Sequence, residues 1–290
     1  VITPKEEFGL GFDSQWTDDF HHSLHTLLTS EQDGYYEGFP PKVSNLARVL
    51  TTGFLYVGQH SSYRGRKYGV APKTKNGAKF VISMQNHDQV GNRVLGDRLT
   101  TLLPPEKVRL AAAATILAPF VPMLFMGEEY GETAPFQYFT SHSDPDLIEA
   151  VRKGRREEFD DFLWQGEAPD PHDEETFRRS KLDWSLRERE EHASLRELYR
   201  TLLRVRREMP ALRTLDLAAV RTHADDDARV LLVRRGNTLL ALNFSEETRS
   251  VTSPFGGSWQ PLLETNATIE GDTMTLPPSS FALWTGTPAA

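Results

Sequence analysis

Lys79 to Met84 (Lys-Phe-Val-Ile-Ser-Met) is a compact apolar run that leads directly into Gln85 to Arg93, a segment crowded with amides, an imidazole and a carboxylate. Pro105 then opens a helical pattern reaching about Leu117, and a second apolar run, Val121 to Met126, leads into Gly127-Glu128-Glu129-Tyr130. Strand, polar loop, helix, strand, polar loop is the rhythm of parallel α/β architecture. A parallel neighbour needs a crossover, and here a helix supplies it. The fold class expected is α/β, with polar loops at strand C-termini, where parallel barrels carry their active sites.

The flanking segments extend this pattern. Gly11 to Trp16 reads as a short strand, and Asp18 to Thr29 as a helix with Phe20, Leu24, Leu27 and Leu28 on one side. Thr17 suits its N-cap, and Asp18 and Asp19 suit the positive end of its dipole. Asn45 to Thr52 reads as a helix stopped by Gly53. Val57 to Asn76 is a long Gly-, Ser-, Tyr- and basic-rich stretch without period, of the kind that is usually functional. Asp144 to Trp164 and Glu190 to Arg207 read as amphipathic helices around an exposed, Pro- and acid-rich excursion from Gly166 to Pro171. After Pro210 the texture changes to short strands: Arg229 to Val233, Thr238 to Phe244, Ser258 to Leu263, Thr273 to Leu276 and Phe281 to Trp284. The expected division is an α/β part over 1–211 and a small antiparallel all-β domain over 212–290.

Composition removes several function classes. With 41 acidic against 33 basic residues the formal charge is −8, a field that repels phosphate backbones, so no nucleic-acid partner is expected. The longest apolar run, Leu110 to Met126, contains Pro119 and Pro122 and is too short for a comfortable membrane span. No membrane partner is expected either. With no cysteine there is no disulfide framework and no thiolate metal site, which suits a cytoplasmic setting. His21 and His25 lie one helical turn apart, but no further ligand cluster accompanies them, so neither a metal nor another cofactor is expected.

The chemistry concentrates in the two loops. Gln85, Asn86, His87, Asp88, Gln89, Asn92 and Arg93 can donate or accept hydrogen bonds to the hydroxyls of a sugar ring. A carboxylate there can also oppose developing positive charge. Aromatics in neighbouring loops, Trp16, Tyr35, Tyr36, Tyr63, Tyr68, Phe136, Tyr138 and Phe139, offer faces for the apolar side of a sugar, although any single one is more simply a packing residue. Read from the residues alone, the favoured reaction is hydrolysis by two carboxylates, Asp88 with Glu128 or with one of Asp18 and Asp19.

Gln85-Asn86-His87-Asp88 after an apolar strand resembles the last conserved catalytic region of the alpha-amylase family of glycoside hydrolases. Pro122 to Glu129 resembles that family's segment at the eighth barrel strand. Gln15 to His22, Gln85 to Arg93, and Pro135 to Phe139 followed by Ser141-His142 look like its trehalose-releasing branch, and the likeness runs from about residue 1 to Arg207. What the resemblance implies is the C-terminal portion of a (β/α)8 TIM barrel followed by the small β domain. It implies a retaining hydrolysis of the alpha-1,4 bond next to the terminal trehalose of malto-oligosyltrehalose, or of a related alpha-1,4-glucan oligosaccharide. By position, Asp88 would be the transition-state stabiliser, His87 would bond the same ring with Asn86 and Gln85 beside it, and Trp16, Asp18 and His21 would lie near the trehalose side. Glu128 becomes a structural or rim residue at the barrel mouth, which displaces it from the acid–base pairing.

The resemblance also implies that the nucleophile and general acid stand on earlier barrel strands. The chain offers about three strands of an eight-stranded barrel, so it reads as a fragment that is inactive alone and left with an open sheet edge. The competing expectations are a glycogen-branching enzyme fragment and a non-catalytic glucan-binding fragment.

Overall fold

In the computed structural model, residues 1–158, 169–263 and 266–288 are described. The first half supplies β1 (Gln15–Trp16), α1 (Asp18–Thr29), α2 (Val43–Thr52), β2 (His60–Ser61), β3 (Arg66–Lys67), β4 (Phe80–Ile82), α3 (His87–Gly91), α4 (Leu99–Leu102), α5 (Pro105–Ile116) and β5 (Val121–Pro122). β1, β4 and β5 form a parallel sheet in that order, with Trp16 opposite Val81 and Val81 opposite Val121. The expected strand and helix rhythm is present, with strands shorter than the apolar runs that contain them.

Two local details differ from expectation. Thr17 stands at the N-cap of α1, yet its hydroxyl makes no cap bond and donates instead to the Gly53 carbonyl at 2.6 Å. Gly53 ends α2 in the left-handed region at φ 88°, and a Cβ there would lie 2.6 Å from the Phe80 ring, so both backbone and packing require glycine. The irregular 57–76 stretch contains the small hairpin β2–β3, and the Gln85 to Arg93 loop contains the short helix α3.

α6 (Pro145–Glu158), α7 (Glu174–Arg179), α8 (Glu190–Glu208) and α9 (Pro210–Arg213) follow. The remainder of the helix expected to reach Trp164, and the start of the Gly166 to Pro171 excursion, lie outside the described residues. Then come β6 (Val220–Asp225), β7 (Val230–Arg235), β8 (Thr238–Asn243), β9 (Arg249–Thr252), β10 (Gly257–Leu263), β11 (Thr268–Glu270), β12 (Thr273–Leu276) and β13 (Ser280–Pro288). They build a five-stranded antiparallel sheet, β10-β13-β8-β7-β6, and a three-stranded one, β11-β12-β9. This is the expected α/β unit followed by an antiparallel all-β unit.

Period-two alternation along β7 and β8 explains how the two units join. Leu231, Val233, Leu240 and Leu242 face a core shared with α1, α2, α5 and α8, while Val230, Leu232, Leu239 and Ala241 face the second sheet. Polar contacts reinforce the junction. The Asp226 carboxylate accepts the Ser44 backbone N–H at 2.9 Å and its hydroxyl at 2.6 Å, capping α2 from the β6–β7 turn. Arg235 is buried and donates to the carbonyls of Leu117, Leu212 and Thr214, and Arg206 donates to those of Ile116, Ala118 and Phe120. Two cations thus satisfy the carbonyl-rich end of α5, where the helix dipole favours positive charge. Burial, with the neighbouring Arg206 charge, pushes the Arg235 guanidinium down to about 9.

Candidate functional site

The C-terminal ends of β1 and β4 lie side by side, and the segments leaving them converge. From β1 the chain passes through Trp16 into α1, bringing Asp18 to its first turn. From β4 it passes through Met84, Gln85 and Asn86 into α3. The Asn86 side chain caps that helix, accepting the N–H groups of Asp88 at 2.9 Å and Gln89 at 3.2 Å. So short a helix has little stability of its own, and this cap fixes where His87 and Asp88 point.

Both project to solvent, at 59% and 56% side-chain exposure, with His87 Nε2 3.0 Å from Asp88 Oδ1. The Trp16 indole, 46% exposed, meets the His87 ring edge-on at 6.2 Å between centroids. Gln89 Nε2 donates to Asp18 Oδ1 at 3.2 Å. Burial and then the Asp88 charge raise the Asp18 pKa, against the Gln89 bond, so these two carboxyls sense each other directly. Trp16, Asp18, His87 and Asp88 therefore form one partly exposed cluster.

The other predicted site residues lie beneath it. Asn86 and Gln85 are buried, and the side-chain oxygen Oε1 of Gln85 accepts the Leu99 N–H at 3.0 Å. His21 is buried with both nitrogens engaged: Nδ1 donates to the Met84 carbonyl at 2.7 Å, which leaves Nε2 to accept the Tyr36 hydroxyl at 2.9 Å. Burial, followed by the charges of His25 and His22, holds its pKa well below the ordinary value, so the ring is neutral. His25 stacks on Tyr36 and its Nε2 lies 2.7 Å from Glu31 Oε2. Arg93 clamps Glu31 with two bonds of 2.9 Å. Burial alone would raise the Glu31 pKa, but the His25 and Arg93 bonds bring it down to about 2. Among the described residues, no group of three His, Asp or Glu is arranged to hold a metal ion.

Two carboxyls proposed as partners of Asp88 face elsewhere. Asp19 accepts the backbone N–H groups of Leu55 at 2.7 Å and Tyr56 at 3.3 Å. Glu128, expected as a structural or a rim residue, is 1% exposed and sits in the interior rather than at a rim, with the Tyr199 hydroxyl 3.3 Å from its Oε1. Gly127, in the left-handed region at φ 86°, turns the chain inward there. Of the aromatics, Tyr36 is buried, whereas Tyr63, Tyr68, Tyr138 and Phe139 are exposed. Sequence reasoning missed Glu31, which holds the far end of the Asp88 loop through Arg93, 62 residues away; a lone acid after a helix carries no signal of such a partner.

Residues 215–283 match a domain family described as a domain of unknown function, DUF3459. Malto-oligosyltrehalose trehalohydrolase of Rhizobium sp. (strain M-11) is 43% identical over 286 residues, covering 98% of this chain and 48% of that protein. The enzyme of the same name from Brevibacterium helvolum is 42% identical over the same shares. A crystal structure of a candidate alpha amylase from Salmonella typhimurium superposes with a TM-score of 0.83 at 36% identity, covering 96% of this chain and 47% of that one. The chain spans about half the length of the curated relatives it matches. Along nearly all of its own length it is thus similar to malto-oligosyltrehalose trehalohydrolases, and it belongs to the alpha-amylase family of glycoside hydrolases.

Proposed function

We propose that this chain carries the glucan-gripping, charge-stabilising face of a retaining hydrolase that cuts the alpha-1,4 bond next to the terminal trehalose of malto-oligosyltrehalose. The supporting observation is the convergence of Trp16, Asp18, His87 and Asp88 where β1 and β4 end. The Asp88 carboxylate accepts hydrogen bonds from ring hydroxyls and opposes the positive charge that develops as the glycosidic bond breaks. His87 binds the same ring, and Trp16 presents an apolar face to a neighbouring sugar. Asp18 lines the trehalose side, while Gln85, Asn86 and His21 hold the others from beneath. The names of the relatives support this substrate class.

Retaining hydrolysis needs a nucleophile and a general acid about 5–5.5 Å apart across the bond. Asp19, Glu31 and Glu128 are committed to backbone, to Arg93 and to the interior, and Asp18 is bonded to Gln89. In this reading residues 1–211 are part of a (β/α)8 barrel, 212–290 an accessory β domain, and the setting is cytoplasmic. Asp88 acts as the third carboxylate, and the displacement pair comes from outside residues 1–290. Incubated with malto-oligosyltrehalose, the purified chain is expected to release no trehalose. Release that disappears in Asp88→Ala would overturn that division of labour.

A further inference from the structure

Glu128 is a carboxyl group with 1% exposure that neither binding nor displacement chemistry uses. Three elements meet around it: the turn after β5, α8 through Tyr199, and the end of β4 through Met84 and Gln85. The hydrogens at this junction can be counted. The Tyr199 hydroxyl lies 3.3 Å from Glu128 Oε1 and 3.7 Å from Met84 Sδ, but a phenol has one hydrogen for two acceptors. Glu128 Oε2 has no hydrogen-bond partner, and neither has the Gln85 side-chain nitrogen, which is a donor close enough to hold the carboxyl pKa down. A proton on Oε1 serves both acceptors: it donates to the phenol oxygen, which frees the phenol hydrogen for the Met84 sulfur, and leaves the other carboxyl oxygen as an acceptor for the Gln85 amide.

The charged and titratable surroundings agree with a neutral acid. Burial pushes the Glu128 pKa up to about 8, outweighing the Phe125 backbone and Tyr199 bonds, and the adjacent Glu129 charge adds to the rise. Arg98 senses Glu128, but its guanidinium donates to the carbonyls of Ala134 at 2.6 Å and Met126 at 2.8 Å. An ionised Glu128 would therefore sit buried without a direct ion pair among the described residues.

We propose that Glu128 is a positioning residue that works as a neutral carboxylic acid. Through Tyr199, Met84 and Gln85 it pins the end of β4, and hence the Asn86-His87-Asp88 segment, to α8. Met84 is also the residue whose carbonyl takes the His21 bond, and Gln85 the one that accepts the Leu99 N–H, so two further anchors of the segment depend on it. Ionisation turns Oε1 from donor to acceptor and places a charge in the core, which loosens both anchors. This positioning role rests on Asp88 being the site.

The test is hydrogen exchange at the Leu99 amide, which reports Gln85 directly and requires no activity. Above pH 8 the neutral fraction falls about tenfold per unit. Corrected for base catalysis, Leu99 protection in the whole chain is expected to fall about tenfold or more between pH 7 and pH 9.5. In Glu128→Gln, which cannot ionise, it should stay level. Protection that falls equally in both, or in neither, would overturn the proposal. Should the variant not fold, the Glu128 carboxyl carbon is followed by NMR in the unaltered chain. Titration near pH 8 supports the proposal, and titration near 4.5 overturns it. Maltoheptaose binding by the unaltered chain and by Asp88→Ala tests the site reading separately: no binding with the expected Leu99 behaviour removes the site reading, and with it the positioning role, and leaves Glu128 as a neutral anchor of the segment.

Discussion

The antiparallel and parallel sheets of this protein are stabilised in opposite ways. β7 and β8 are buried on both faces, and their alternating side chains divide between a helix-backed core and a sheet-backed one. β1, β4 and β5 are two or three residues long, and the interior behind their C-terminal ends is full of polar groups: His21, His25, Gln85, Asn86, Arg98 and Glu128. Apolar burial is non-directional and gives stability. Buried hydrogen bonds contribute little net stability, but they fix orientation and become costly when one partner is lost. The antiparallel region is thus a stabilising slab, and the parallel region a mount for a few side chains. The mount borrows its stability, since Leu231, Val233, Leu240 and Leu242 share a core with α1, α2 and α5.

The largest expected effect tests that borrowing. Leu231 is fully buried, and Leu231→Ala should cost about 3 kcal/mol. In urea, fluorescence and far-UV circular dichroism should shift together as one transition. A helix signal that unfolds apart from the sheet signal would break the comparison and show two independent units.

A smaller effect should come from the polar mount. The Glu31 pKa is about 2 in the folded chain against an ordinary 4.5. A depressed folded value means stability that is complete above 4.5 and is lost as pH falls toward 2. Glu31 is partly exposed, so the contribution is discounted to about 2 kcal/mol. Glu31→Gln should lower the melting temperature at pH 7 and flatten the acid limb of the pH–stability curve. An unchanged acid limb would mean that the Arg93 clamp contributes nothing to the mount.

The slab was more legible in the sequence than the mount. Arg229 to Val233 and Thr238 to Phe244 announce themselves by β-rich composition between turn residues, and Asp18 to Thr29 by its helical spacing. β6 and β9 escaped because they are mixed in polarity, with Arg221, His223, Arg249 and Ser250 interrupting any apolar run. The Asp88 segment was legible as chemistry but not as a helix, because a five-residue element is decided by the Asn86 cap and not by period. The sequence leaves Glu128 open between a structural and a rim position, and only long-range packing by Tyr199 shows that it is buried. A hydrophobic core crosses the boundary expected at residue 212.

The smallest energetic effect bears on the central claim, that the face formed by Trp16, His87 and Asp88 binds glucan. It is read by calorimetric titration of the chain with maltoheptaose, with Asp88→Ala and Trp16→Ala as variants. Each should weaken binding about tenfold, the scale of one hydrogen bond to a charged group or one sugar-stacking face. Both side chains are exposed, so neither variant should lower the melting temperature appreciably. Maltoheptaose binding of unchanged strength in both folded variants would contradict the account and place the glucan elsewhere.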